Sequence, residues 1–373
     1  MNLFLSCPTG FEALIKTEIQ RAGYQPGEQI SGGIFFDGDQ QAISKINLRS
    51  RVGNKLFLVT KQGYTSTFDE LFELIRSINR KELLPANHPI AIGVKSIKST
   101  LHHIPSIQSI GKKAIISQLT NNSGENYSEN NSLETAKIEI ILNHNKTLIM
   151  LNTSGESLYK RGRREHQLIA PIKENVAAAL ILLSGWKFHR PFIDPMCGSG
   201  TIAIEAAQLA RNIAPGLQRN FFFEKLSWFD KNIHAKEKEE ARGKIFHEKK
   251  YEIIGQDSDP EAIKTAKLNA EKAGVADTIV FEENSFTGPE KQIDRSAIGT
   301  VLTNPPYGER LQPADLGLIY ENLKKIFEEN TNLNGGFITS YEDIRPIFGD
   351  EFRKTKHCYN GGQECLFYKI KRL

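Results

Sequence analysis

Four consecutive residues, Asn304-Pro305-Pro306-Tyr307, carry the most distinctive chemistry in this 373-residue sequence. The Asn304 side-chain carbonyl and the Pro305 main-chain carbonyl can each accept a hydrogen bond from one exocyclic amine. Pro305 and Pro306 have no backbone N–H, so the chain here presents acceptors more readily than donors. Tyr307 adds an aromatic face on which a base taken out of its stack can rest. The run directly follows Val301-Leu302, an apolar pair that reads as the end of a strand. Open α/β sheets bind their ligands at the carboxyl ends of strands.

Two further motifs describe what could react with such a base. Phe192-Ile193-Asp194-Pro195-Met196-Cys197-Gly198-Ser199-Gly200-Thr201 reads as a strand, a glycine turn and then a helix over 202–211. Glycine lets backbone approach a ligand closely, and a helix start points N–H groups at an anionic part of it. Gly198, Gly200 and Ala203 also satisfy the pattern G-x-G-x-x-A. Asp194, just before the turn, could hold the ammonium of an amino-acid-bearing cofactor. Ile253-Ile254-Gly255-Gln256-Asp257-Ser258-Asp259-Pro260 then places an acid at the end of a second strand. Asp257 suits ribose hydroxyls there, and Asp259 suits the cap of the next helix. Asp257 lies well beyond the ~20 residues that separate turn and acid in dinucleotide enzymes, which counts against NAD.

These motifs need a frame that brings strand ends together. From residue 169 to about 341, helix, strand, Gly-rich turn and helix are followed by strand–helix alternation, which predicts a doubly wound, Rossmann-like parallel sheet. A last strand is expected over 365–370, after Gly361-Gly362. The first half has another rhythm. Strands are predicted over 3–5, 33–37 and 89–95, and helices over 11–19 (stopped by Gly23), 67–78 and 106–119. The alternating runs 137–142 and 147–152 form a hairpin candidate, and the polar stretch 121–132 a surface loop. Short interleaved units of this kind indicate α+β modules. The basic connector Tyr159-Lys160-Arg161-Gly162-Arg163-Arg164 separates the halves.

A net charge of +4, with 39% hydrophobic and 25% charged residues, describes an ordinary globular chain and does not announce a polyanionic partner. Clustering can do so where the sum does not. Lys95, Lys98, Lys112 and Lys113, and the connector's Arg161, Arg163 and Arg164, are candidate phosphate contacts, against the equal alternative of solvated faces. Phe221-Phe222-Phe223 and Trp228-Phe229, with Arg219 and Lys225 nearby, favour core packing over a nucleotide guide. Cys7, Cys197, Cys358 and Cys365 make no C-x-x-C pair and no zinc-ligand spacing, so no metal is expected. No apolar run approaches the ~18 residues of a membrane span, and the N-terminus lacks a basic leader. A cytoplasmic location with no membrane partner is expected.

In combination, the three C-terminal motifs resemble those of class I methyltransferases, and more narrowly the guanine-N2 RNA methyltransferases that carry a THUMP domain. The resemblance spans nearly the whole chain. Phe4-Leu5-Ser6-Cys7-Pro8-Thr9-Gly10-Phe11-Glu12 is similar to the family's ferredoxin-like opening. Val94-Lys95-Ser96-Ile97-Lys98-Ser99 and Gln108-Ser109-Ile110-Gly111-Lys112-Lys113-Ala114 are similar to its THUMP segment. Ala170-Pro171-Ile172-Lys173-Glu174 resembles the segment near the methionine end of the cofactor.

The resemblance implies S-adenosylmethionine as cofactor, held by Asp194, Pro195, Cys197, Gly198, Ser199, Gly200, Asp257 and Ser285, with Asn304, Pro305, Pro306 and Tyr307 as the catalytic run. It implies an RNA partner, ribosomal RNA before tRNA. It also implies three modules: ferredoxin-like (1–60), THUMP-like and RNA-binding (61–164), and methyltransferase (165–373). Two positions depart from the family pattern. Arg163 stands where an aromatic is usual. Ser285 stands where an acid contacts the cofactor's adenine amine, and a hydroxyl accepts that bond more weakly. The alternatives are an adenine-N6 DNA methyltransferase, a tRNA guanine-N2 methyltransferase and a catalytically inactive RNA-binding protein. The N-terminal half weighs against the first, and the intact 304–307 run against the last.

Overall fold

Two seven-stranded sheets organise the chain, each in its own compact unit. The structure is a computed structural model that describes residues 1–79, 84, 87–120, 127–162, 172–284, 298–306, 313–340, 344–349, 352–360 and 363–370. The first unit comprises Met1–Cys7, Ile15–Leu158 and Arg219–Glu239. The second comprises Pro8–Leu14, Tyr159–Gln218 and Glu240–Leu373.

The first sheet contains β1 (Asn2–Ser6), β2 (Pro26–Ile30), β3 (Gly33–Asp37), β4 (Lys55–Tyr64), β5 (Ile90–Ile97), β6 (Ala136–Asn143) and β7 (Lys146–Asn152), in the order β2-β3-β1-β4-β7-β6-β5. Helices α1 (Glu12–Arg21), α2 (Gln40–Arg49), α3 (Phe68–Arg76) and α4 (Ile104–Thr120) accompany it. The predicted hairpin is β6–β7, and its turn residues His144 and Asn145 have φ of +50° and +63°. Positive φ at both central positions matches the twist of the strands it joins. The predicted helix over 67–78 is α3, opened by a reciprocal capping box between Thr67 and Glu70. The expected module boundary at residue 60 falls inside β4, and the sheet continues across it.

The stretch Arg219–Glu239 belongs to this first unit although it lies within 165–373. Phe221, Phe222, Phe223 and Phe229 are buried, and the Phe221 and Phe223 rings stack at 5.4 Å. Arg219 donates to the Glu156 (2.6 Å) and Ser157 (2.7 Å) carbonyls, and Lys225 pairs with Glu134. The four phenylalanines are core, as expected, whereas Trp228 is half-buried.

The second unit contains α5 (Glu174–Ser184), β8 (Phe192–Asp194), α6 (Thr201–Ala210), the end of α7 (Lys231–Gly243), β9 (Ile253–Asp257), α8 (Pro260–Lys272) and β10 (Ile279–Glu283). Then follow β11 (Gly299–Thr303), α9 (Pro313–Glu329), β12 (Leu333–Thr339), α10 (Arg345–Phe348), β13 (Phe352–Asn360) and β14 (Gln363–Ile370). The order is β10-β9-β8-β11-β12-β14-β13. The first five of these are parallel; β14 is antiparallel to both neighbours. The predicted parallel sheet is therefore closed by an antiparallel hairpin. From β8 the chain steps outward to β9 and β10, then crosses to β11 and β12 on the other side. A crevice opens at such a reversal, outside the carboxyl ends of the two central strands.

The opening motif also has a place in this unit. Gly10 has φ +96°, and a Cβ there would lie 2.8 Å from the His357 carbonyl oxygen on β13. Only glycine fits both the left-handed backbone and the close approach to an edge strand.

Candidate active site

The two central strands end on the residues singled out by type. β8 ends at Asp194 and β11 at Thr303, with Phe192 level with Thr300 and Ile193 with Val301. Asp194 and the Thr303-Asn304-Pro305 step thus leave the sheet side by side. Asp194 is 1% exposed. Its Oδ1, the Thr303 Oγ1 and the Asn304 Oδ1 are buried without a hydrogen-bond partner among the described residues. Burial pushes the Asp194 carboxyl up to about 7, and the Asp257 charge adds to the rise. The Met196 N–H opposes it, as does the neighbouring Thr303 hydroxyl, which closes no well-formed hydrogen bond. A buried polar atom left unpaired is costly, and three on adjoining strand ends mark a place shaped for something else to bind.

The glycine turn folds over the same edge. Gly198 and Gly200 have φ of +52° and +80°. A Cβ on Gly200 would press within 3.0 Å of the Ala266 Cβ and 3.2 Å of the Phe281 ring, whereas one on Gly198 would meet nothing within 4 Å. The first glycine is thus open to a ligand, and the second is required by packing. Gly200 caps α6 with no side-chain hydrogen bond to the helix start. Pro195, Cys197 and Ser199 are buried in the turn, and the Cys197 N–H donates to the Gln256 carbonyl at 2.7 Å. Burial, then the Asp194 and Asp257 charges, push the Cys197 thiol far up. It stays protonated, which excludes a thiolate nucleophile.

Asp257 ties the second strand to this turn. Its Oδ2 accepts from the Gly198 N–H at 2.8 Å and its Oδ1 from the Asp259 N–H at 3.1 Å. Each carboxylate oxygen retains capacity for a further donor. Asp259 caps α8 by accepting from the Glu261 N–H at 2.9 Å, the role its position suggested.

The structure corrects one expectation. Arg161 is not a phosphate contact on an open connector. It is 3% exposed and pairs as a fork with Glu205 on α6, itself 1% exposed, at 3.1 Å (Nε–Oε1) and 3.2 Å (Nη2–Oε2). An acid inside the apolar Thr201–Ala210 helix must be paired if buried, and Arg161 supplies the charge. Glu205, the one acid in that helix, was the available signal. Thr303, a polar residue ending an apolar strand, carried a similar signal. In the first unit, Lys95, Lys98 and Lys113 are exposed, whereas Lys112 is engaged by Glu129 at 2.6 Å. Arg163, Arg164, Ser285 and Tyr307 lie outside the described residues.

Among the described residues no three His, Cys, Asp or Glu side chains gather as metal ligands. No helix among them is long and apolar enough to cross a membrane.

A reversed parallel sheet closed by an antiparallel strand, with an acid and a glycine turn at the reversal and Asn-Pro-Pro beside it, defines the methyltransferase class. More narrowly, the chain belongs to the RMKL-like methyltransferase family, whose methyltransferase-domain model matches residues 161–369. The RlmL ferredoxin-like domain matches residues 2–57. YpsC of Bacillus subtilis (strain 168), a candidate RNA methyltransferase, is 36% identical over 99% of this chain and 95% of its own length. The ribosomal RNA large subunit methyltransferase K/L of Buchnera aphidicola is 36% identical over 83% of this chain, but the match spans only 45% of that protein. Among solved structures, SMU.472, a candidate methyltransferase complexed with S-adenosylhomocysteine, superposes with a TM-score of 0.90 at 33% identity, covering 100% of this chain and 98% of that one. A Listeria monocytogenes (str. 4b F2365) protein, named on prediction as an N6-adenine-specific DNA methylase, superposes with a TM-score of 0.89 at 35% identity, covering 98% and 95%.

Proposed function

We propose that this protein methylates the exocyclic N2 of a guanine in RNA, with large-subunit ribosomal RNA as the favoured substrate, using S-adenosylmethionine. The observation that carries the reading is the placement of unpartnered Asp194 and Asn304 acceptors at the ends of adjacent parallel strands. The cofactor supplies an electrophilic methyl group on a sulfonium. The residues present fit it: Asp194 for its ammonium, Asp257 for ribose hydroxyls, and the Gly198-Ser199-Gly200 turn, open at Gly198, for close backbone approach. Ser285 takes the adenine amine.

Asn304 Oδ1 and the Pro305 carbonyl accept from the two N–H bonds of the target amine. Pro306 keeps the run free of a competing donor, and Tyr307 supports the face of the flipped base. These acceptors aim the nitrogen lone pair outward and stabilise the positive charge that builds on it. Alignment at short range supplies much of the acceleration. The nitrogen gains the methyl carbon as the sulfur–carbon bond breaks, and only then sheds a proton to water. No strong base is needed beforehand.

RNA is favoured over DNA by the names of YpsC and K/L and by the N-terminal modules. We assign 1–60 to a ferredoxin-like module and 61–164 to a THUMP-like one that offers Lys95, Lys98 and Lys113, with Lys112 once released from Glu129. Residues 165–373, less the Arg219–Glu239 stretch that folds with the first unit, carry the methyltransferase, and the protein works in the cytoplasm. Adenine-N6 methylation of DNA is the second reading, because the same acceptors suit that amine and the Listeria relative bears that name.

The deciding assay supplies S-adenosylmethionine with a labelled methyl group. Ribosomal RNA and tRNA from cells lacking the gene, and unmethylated DNA, are offered separately, and labelled nucleosides are identified by mass spectrometry. N2-methylguanosine in ribosomal RNA is expected; in tRNA it would move the substrate class only. N6-methyladenine in DNA would overturn the reading.

A further inference from the structure

The β13–β14 hairpin lifts side chains over the same sheet edge as Asn304, and the site described above uses none of them. Thr303 on β11 is level with Phe337 on β12, and Thr339, the last residue of β12, is level with Leu366 on β14. Because β14 is antiparallel, its beginning rises past the carboxyl ends of the parallel strands. Glu364 stands two residues beyond Leu366, about 7 Å above the end of β12. Its direct partner across the hairpin is Tyr359 on β13. β13 lies three strand spacings from β11, roughly 14 Å to the side.

The surroundings of Tyr359 suit a nucleic acid. It is 50% exposed. Alternation along the strand turns Cys358, fully buried, to one face, and His357 and Tyr359 to the other. His357 is held by Glu364, Nδ1 to Oε1 at 2.9 Å, and remains exposed. The strand Phe352–Asn360 contains Arg353, Lys354, Lys356 and His357 and no acid. An exposed aromatic on a strand of basic composition, with Lys356 and His357 among its described side chains and Glu364 engaged by His357, suits a single strand bound without base readout.

We infer that the raised end of this hairpin, Tyr359 with His357 beside it, is a stacking ledge for a second nucleotide of the strand whose target base enters at Asn304. The inference rests on the reading that the target is extracted from a nucleic-acid strand. Extraction leaves neighbouring bases without their stacking partners. Tyr359 is also about 10 Å higher than Asn304, so the separation is roughly 17 Å; at ~3.4 Å per stacked nucleotide, and more when splayed, this corresponds to two to five nucleotides from the target. Every base has a face to stack, so the ledge adds affinity without specifying sequence.

The test uses the full-length protein and a fluorescein-labelled single-stranded RNA of about 16 nucleotides with one central guanine. Tyr359→Ala should weaken binding roughly tenfold, the loss typical of one stacked base, and raise KM for RNA. Tyr359→Trp should restore the affinity. Cofactor dissociation constant and melting temperature should match the unsubstituted protein in both variants. Unchanged affinity in Tyr359→Ala would overturn the ledge. So would a loss that Trp fails to restore and that brings weaker cofactor binding or a lower melting temperature. Failure of the proposed function is read separately, from the methylated nucleoside; a Tyr359 effect on RNA binding would survive a different methylated position. If the unsubstituted protein bound no RNA oligonucleotide, the ledge would be overturned, while the proposed function would still be decided by the methylated nucleoside.

Discussion

Two buried polar clusters of similar composition have opposite fates in this molecule. In the first unit, Asn47, Asn152, Thr153 and Ser154 are all buried, and their hydrogen bonds close among themselves and on nearby backbone. Ser154 Oγ donates to Asn47 Oδ1 (2.5 Å), Asn47 Nδ2 reaches the Ile43 carbonyl (2.9 Å), and Thr153 Oγ1 donates to the Leu56 carbonyl (2.8 Å). Asn152 spans its own turn, accepting from the Ser154 N–H at 2.9 Å and donating to the Gly155 carbonyl at 2.8 Å. In the second unit, Asp194, Thr303 and Asn304 each leave a buried oxygen unpaired among the described residues. The first cluster specifies a fold, since a satisfied polar network fixes one arrangement of the chain. The second retains an unmet demand that a ligand can satisfy. Burial and polarity do not separate them; completeness of pairing does.

The largest expected effect separates the clusters by reaction. Asn304→Ala should lower methyl transfer about a thousandfold, the upper range for removing one preorganised partner of the developing charge, and leave cofactor affinity intact. Single-turnover transfer of labelled methyl checks this, and unchanged turnover would remove Asn304 from the chemistry. Arg161→Ala tests the reassigned arginine: breaking a buried ion pair should cost about 3–5 kcal/mol of stability in denaturant titration. A loss of RNA affinity with stability intact would return Arg161 to the phosphate contacts. Asn47→Ala strands the Ser154 hydroxyl and should destabilise the protein by about 2–3 kcal/mol without moving the cofactor dissociation constant; a shift in that constant would blur the comparison. Smallest, Asp257→Ala should weaken cofactor binding about tenfold, equivalent to about 1.4 kcal/mol. Calorimetry finding no change would leave Asp257 with only its structural bonds to the Gly198 and Asp259 N–H groups.

Much of the site was legible because its residues lie in short runs. Asp194, the glycine turn, Asp257, Asp259 and Asn304-Pro305 could be placed on strand ends from apolar runs and turn residues alone. The parallel order followed from strand–helix alternation. What could not be read were pairings between distant segments. Arg161 looked like one of a basic cluster because its partner, Glu205, is 44 residues away on a helix. Helix α2 escaped notice because Ser44 and Asn47 occupy its buried face and break the apolar period. Strand β4 escaped because its register shifts between Val59 and Lys61, which interrupts the alternation. The placement of Arg219–Glu239 with the first unit has no local signature, since burial of the phenylalanines says only that they are core.

The most direct test of the central claim, that unpaired buried acceptors mark the site, is cofactor affinity measured against pH. Burial holds the Asp194 carboxyl at about 7, above its ordinary value, so it is ionised above that pH and neutral below it. A neutral acid cannot pair with an ammonium. Affinity for S-adenosylmethionine should therefore be greatest between about pH 7 and about 8, where the carboxyl is ionised and the cofactor's α-ammonium still protonated, and fall towards tenfold per unit as pH drops below that window, the limit for one proton. Asp194→Asn should bind weakly at every pH and lose the slope. A dissociation constant that stayed level from about pH 5.5 to about 8.5 in the unsubstituted protein, or a slope that survived Asp194→Asn, would contradict the account.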